Sequence, residues 1–270
     1  MTSLDTRGVF ARLGKTLQSD WVASVLYTAA AVVLLMGLWE VTIRVLQVPL
    51  WLVPKPSDFL SRLFEDYALI AGHAWATSTT LAAGFALGVL VAVPLALLIV
   101  SVGTLERGLY PVIVFLNIMP KTVIGPILIV WFGISPLVSV FIVFLMCFFP
   151  VLVDSMSGFR AVDPRLYYIT RSMGASGWQA FRHVRLPASM GSIFAGMKIG
   201  IVKAVEGVII AEFVASNKGL GFMIMRASGF MDMTLMFSGL VAAALVALIF
   251  NGAVAALERI LTPWARNRHA

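Results

Sequence analysis

The chain has 270 residues, 60% of them hydrophobic and only 12% charged, with a mean hydropathy of +0.95. A soluble domain of this size cannot hide so much apolar surface, so composition alone predicts an all-α, polytopic membrane protein. The formal charge of +7 does not indicate nucleic acid, because the basic residues sort by membrane side, and the single Cys147 excludes an intrachain disulfide or a cysteine-rich metal site.

In residues 1–21, Phe10, Leu13, Leu17 and Trp21 follow helical spacing among Arg7, Arg12 and Lys15. This pattern predicts a short helix lying on the inner membrane surface. No cleavable signal peptide is expected, since the first apolar run is span-length and lacks a small-residue cleavage site. Six spans then fill residues 22–260. Span 1, residues 22–48, contains Glu40 and Arg44, four apart with the acid first, which favours an intrahelical pair. Residues 49–73 leave the membrane: Pro54-Lys55-Pro56-Ser57 is a stiff turn, with Ser57 or Asp58 placed to cap a short amphipathic helix. Span 2, residues 77–102, carries Gly84 and Gly88 in a small-xxx-small arrangement suited to close packing, and Pro94 as a kink site.

Span 3, residues 109–132, is irregular. Pro111, Pro120 and Pro126 interrupt it, with Asn117 and Lys121 near its middle and Gly125 beside the last proline. Broken backbone at membrane depth is tolerated where it is buried in protein or lines a water-filled path. Asn117, Pro120, Lys121, Gly125 and Pro126 are therefore candidate path residues. Span 4 covers residues 137–156.

A polar segment, 158–187, separates spans 4 and 5 and still reads as helix. Asp163 is a good N-cap, Pro164 suits the first helical position, and Gly174 is placed to end the turn. Ser176 and Gln179 form a capping-box pattern that opens a second short helix. Trp178 and Phe181 share its face, while Arg182, His183 and Arg185 load its end with positive charge. A helix–glycine–helix knob of this kind suits docking onto a soluble partner.

Span 5, residues 191–215, holds Lys198, Lys203, Glu206 and Glu212. An unpaired charge at mid-membrane costs about 2.5–3.5 kcal/mol on insertion scales. Glu206 is thus expected to pair with one of Lys121 and Lys203 and to leave the other as a spare cation. Lys203, Glu206 and Glu212 join the candidate path. The glycine-rich connection 216–221 carries no phosphate-binding fingerprint, because it does not join a strand to a helix. Span 6, residues 233–257, leads into a tail at 261–270. Six spans put both termini on one side, together with the knob and twelve basic residues from Arg7 to Arg268. Only Lys55, Arg62, Lys218 and Arg226 fall opposite, so the positive-inside rule predicts that termini and knob are cytoplasmic.

Gly174, nine intervening residues and Val184-Arg185-Leu186-Pro187 resemble the EAA loop of ABC-importer permeases, although Tyr168, Ile169 and Thr170 replace its Glu-Ala-Ala. Three further stretches are similar to the nitrate/sulfonate/taurine branch: Met119-Pro120-Lys121 through Pro126 to Trp131-Phe132-Gly133; Ala211-Glu212-Phe213 with Gly219-Leu220-Gly221; and the Pro54 turn. The resemblance spans roughly residues 50–260. It implies a bacterial inner-membrane permease of the type I importer fold, acting as a homodimer with two cytoplasmic ATPases and a periplasmic or lipid-anchored binding protein. In that scheme Arg171, Gly174, Ala175, Ser176, Trp178, Phe181, Arg182, Arg185, Leu186 and Pro187 face the ATPase. No GxxxxGK[ST] sequence occurs, so no cofactor is expected in this chain; ATP and magnesium would belong to the partner subunit. Nitrate, taurine or alkanesulfonates are the implied solutes, with vitamin precursors or aromatic carboxylates as alternatives. The competing reading is an ion-coupled carrier or channel using Lys121, Lys203 and Glu206. It leaves the knob unexplained and finds no inverted repeat of broken segments. A membrane enzyme would need an HExxH or a nucleophile–base set, and neither is identifiable.

Overall fold

The computed structural model describes residues 6–264, apart from the side chains of residues 6–22 and of Ser24, Thr122, Pro164, Tyr167, Tyr168 and Arg171. Within that span the helices are α1 (Thr6–Val45), α2 (Pro56–Glu65), α3 (Tyr67–Ser101), α4 (Gly103–Ile118), α5 (Ile124–Phe132), α6 (Pro136–Arg160), α7 (Pro164–Ser172), α8 (Gly177–Ala180), α9 (Leu186–Ala215), α10 (Leu220–Gly229) and α11 (Met233–Leu261). No strand occurs among the described residues. Four stretches are long and apolar enough to cross a membrane: Val25–Val45 of α1, α3, α6 and α11. A fifth crossing is α9, whose 30 residues span about 45 Å; its charges set it apart in composition. The sixth is the broken pair α4–α5.

The centre is a packed trio of α3, α6 and α9. Leu81, Val143, Cys147, Val151, Leu152, Met156, Ile201 and Val208 are buried there at 1% exposure or less. Small residues allow the close approach. A Cβ at Gly84 would stand 2.5 Å from Val143, and one at Gly88 would run into the Cys147 sulfur. Along α6–α9 the same holds for Gly196 against Asp154 (2.7 Å), Gly200 against Val151 (2.9 Å) and Gly207 against Met146 (2.8 Å). Backbones that touch this closely gain dispersion contact where lipid offers no hydrophobic drive. Ion pairs tie the periphery: Lys198 of α9 to Glu258 of α11 at 2.5 Å, and Arg160 of α6 to Glu106 of α4.

Several elements differ from the sequence expectation. The surface helix expected over residues 1–21 is continuous with span 1 in α1, without a break; residues 1–5 lie outside the described residues, as do the side chains of Arg7, Phe10, Arg12, Leu13, Lys15, Leu17 and Trp21. Ser57 does not cap α2. Its amide and hydroxyl both donate to the Glu40 carboxylate, at 3.1 and 2.9 Å, while Arg44 pairs with the same group. The Glu40–Arg44 pair thereby also anchors α2, helped by the rings of Trp39, Phe59 and Phe237, 5.6–5.9 Å apart. Span 2 begins ten residues early, at Tyr67, and runs unbroken through Pro94. Pro111 likewise sits inside a continuous α4. Only Pro120 breaks the span, and Pro126 falls in the first turn of α5, where the missing N–H has no intrahelical acceptor to lose. Finally, the glycine-rich connection after span 5 builds a helix, α10, that sequence spacing did not reveal. The expected tail beyond residue 264 is outside the described residues.

Candidate coupling segment and transport cavity

Asp163 starts α7 by accepting the Arg165 amide at 2.8 Å. Gly174 ends it in the left-handed region at φ +79, and the Ala175 amide bonds back to the Thr170 carbonyl at 3.1 Å. The Ser176–Gln179 capping box then forms with both bonds present, at 2.8 and 3.3 Å. Beyond α8 the chain makes one π-helical turn, Phe181–Arg185, and enters α9 without a bend in φ/ψ. Pro187 explains the wider turn. It has no N–H to return to the turn before it, and the Leu186 amide reaches back instead to the Phe181 carbonyl.

Trp178 and Phe181 pack as tilted rings with centroids 5.4 Å apart, and Phe181 rests on Phe159 of α6 at 6.4 Å. Outward, Ile169, Met173 and Trp178 are 55%, 80% and 65% exposed, an apolar crest on an otherwise polar loop. Arg182 is exposed beside it. Arg185 turns the other way: its guanidinium lies over Phe159 at 5.7 Å and donates to Ser101 Oγ at 3.3 Å. It therefore braces the segment against α3 and α6 rather than joining the crest. Leu186 and Pro187 are half-buried as the opening turn of α9. The side chain of Arg171 lies outside the described residues.

The α4–α5 break opens onto a cavity of about 490 Å³ between α6 and α9. Asn117, Pro120, Lys121, Asp154, Lys203 and Glu206 line it. Lys203 Nζ donates to both oxygens of Glu206, at 3.1 and 2.9 Å. Lys121 Nζ donates instead to the Asn117 carbonyl at 2.7 Å and sits 5.0 Å over the Phe149 ring. Its charge faces the cavity, and among the described residues no carboxylate lies within ion-pair reach of it. Asp154, which the sequence reading passed over, is the second acid here; its signal was a lone carboxylate in an apolar span. Three expected path residues lie elsewhere. Gly125 is buried against Ile142, Pro126 lies exposed in α5 outside the cavity lining, and Glu212 is 2% exposed among α9, α3 and α10. Glu212 does not line this cavity and is held instead by hydrogen-bond donors on α3 and α10.

Residues 84–267 match the family described as the inner membrane component of binding-protein-dependent transport systems. The chain belongs to this family of ABC importer permeases. Over 236 residues the permease is 28% identical to the formylaminopyrimidine transport permease protein ThiX of Halalkalibacterium halodurans, spanning 87% of this chain and 94% of that one. It is 29% identical over 240 residues to the taurine transport system permease protein TauC of Escherichia coli, spanning 86% of each. Among solved structures, a chain of the MetNI methionine ABC transporter in inward facing conformations has the same fold, with a TM-score of 0.62 at 17% identity over 73% of this permease and 97% of that chain. Importer permeases of this kind work with ATPase subunits and a binding protein, and hydrolysis lies in the separate subunit. Membership also sets aside the ion-coupled carrier and the membrane enzyme.

Proposed function

We propose that the permease forms a homodimer around a path containing the 490 Å³ cavity and passes a small solute with an anionic group inward, by alternating access, when its cytoplasmic ATPases close. Termini and knob are cytoplasmic, as the distribution of basic residues indicates. The segment 176–185 serves as the EAA-type coupling helix, with Ile169, Met173 and Trp178 offered to the ATPase and Gly174 permitting the turn. The observation carrying the solute class is Lys121: it presents cationic charge to the cavity while Lys203 is taken up by Glu206. A shallow attraction of this sort draws an anion through without trapping it. Taurine and formylaminopyrimidine, named for two relatives, are the first solutes to try; the second is favoured if Asp154 outweighs Lys121 in the lining.

The test is uptake into proteoliposomes holding permease, ATPase and binding protein. Uptake should need ATP on the ATPase side and persist when ion gradients are collapsed. Lys121→Met should give normal yield but slow uptake of an anionic solute more than of a neutral one. Equal rates for the variant and the parent would remove Lys121 from the path.

A further inference from the structure

The end of α9 far from the knob holds a buried carboxylate that the cavity does not use. Glu212 Oε2 accepts Thr77 Oγ1 of α3 at 2.9 Å and the Gly221 amide of α10 at 2.8 Å. The Leu220 amide donates to Thr77 Oγ1 at 2.8 Å, and the Gly219 amide to His73 Nδ1 at 3.1 Å. Three successive amides at the start of α10, which have no partner inside their own helix, are thus satisfied by α3 and α9. The connection is wrapped tightly enough to demand glycine. Gly219 has φ +107 and a Cβ there would run into the Glu212 carboxylate, while a Cβ on Gly221 would stand 2.6 Å from the Ile209 carbonyl. From this clamp α9 runs without interruption to the π-turn and α8, which is the coupling segment itself. Between the two ends it is seated closely on α6 through Gly196, Gly200 and Gly207.

We propose that Glu212 is a positioning residue that makes the outer connection 216–221 and the ATPase-facing segment two ends of one rod, so that a binding protein arriving outside is sensed by the motor inside. This rests on the importer reading above. Coupling between sites is reciprocal, so the same clamp reports the motor's state to the outer face.

The experiment pairs two readouts. Hydrogen exchange on the purified full-length permease follows the amides of 219–221. ATPase rates of the assembled transporter are then taken with and without its purified binding protein. In Glu212→Ala and Thr77→Val the three amides should exchange at least about tenfold faster. Stimulation by the binding protein should fall by roughly tenfold while the basal rate stays within about twofold. Glu212→Gln and Thr77→Ser keep an acceptor oxygen and should recover most of the stimulation; Asn217→Ala, at an exposed position in the same connection but outside the clamp, should match the parent. If Glu212→Ala fails to fold, the near-isosteric Thr77→Val carries the test. Unchanged exchange in Thr77→Val overturns the clamp, and faster exchange with full stimulation overturns the transmission. A parent transporter that ignores its binding protein overturns the importer reading, and the proposal with it, while leaving the exchange result to report on the clamp separately.

Discussion

Gly174 shows how much a single residue contributes to the knob. A Cβ there would meet nothing within 4 Å, so the demand is purely on the backbone at φ +79. A side chain in that region costs roughly 1–2 kcal/mol, and more when β-branched. Gly174→Val should therefore insert and purify normally yet uncouple transport from hydrolysis, and Gly174→Asn should be nearly silent. Parental transport by the Val variant in proteoliposomes would show that the turn is dispensable. The Lys203–Glu206 pair makes a different prediction. Lys203→Met leaves Glu206 without its ion-pair partner, so folded yield by fluorescence size exclusion should drop, and adding Glu206→Gln should restore it. No recovery in the double variant would mean that Lys203 has a role beyond the pair. These local devices were legible because each is written within a few residues: the capping box of Ser176 and Gln179, or the acid–base spacing of 203 and 206. The Glu212 clamp was not. Thr77 lies 135 positions away, and no spacing rule reaches across that distance.

Among the elements, the α6–α9 seam is the one whose packing is most sharply testable. At Gly200 an added Cβ would stand 2.9 Å from Val151, whereas at Gly191 on the same helix it would meet open space. Gly200→Ala should destabilise the permease in detergent by about 1–3 kcal/mol, as overpacking does. Gly191→Ala should stabilise it by up to about 1 kcal/mol through helix propensity. Thermal unfolding of the two variants side by side decides the matter, and equal melting would argue against a seam. The broken span was readable from Pro120, which has no N–H and falls near the middle of the apolar run. Pro94, Pro111 and Pro150 lie inside continuous helices, so a proline alone did not mark where a span breaks. The short α10 was missed for a third reason: its amphipathic run is shorter than a span and opens on glycines, so its stability comes from packing against α11, α9 and α3 rather than from its own sequence.

At the scale of the whole molecule, sidedness is the property that the sequence states most openly and that an experiment reads most directly. Fluorescent-protein fusions at either terminus should glow, and alkaline phosphatase fused there should be inactive. Phosphatase inserted after Lys218 should be active. Opposite results at the two termini would break the six-crossing topology.

The Lys198–Glu258 pair sets a rule for how the chain is made. Helices α1, α3, α6 and α11 can each partition from the translocon into lipid on their own hydropathy. By contrast α9 carries four charges, and only Lys203 and Glu206 neutralise one another within it. Glu212 needs Thr77, which is already synthesised when α9 emerges, but Lys198 needs Glu258 on a helix still inside the ribosome. The Lys198–Glu258 pair can therefore close only after the sixth crossing is complete. Ribosome-stalled chains that end before residue 258 should leave α9 crosslinkable to the insertion machinery, and the full chain, once released from the ribosome, should show α9 and α11 leaving it together.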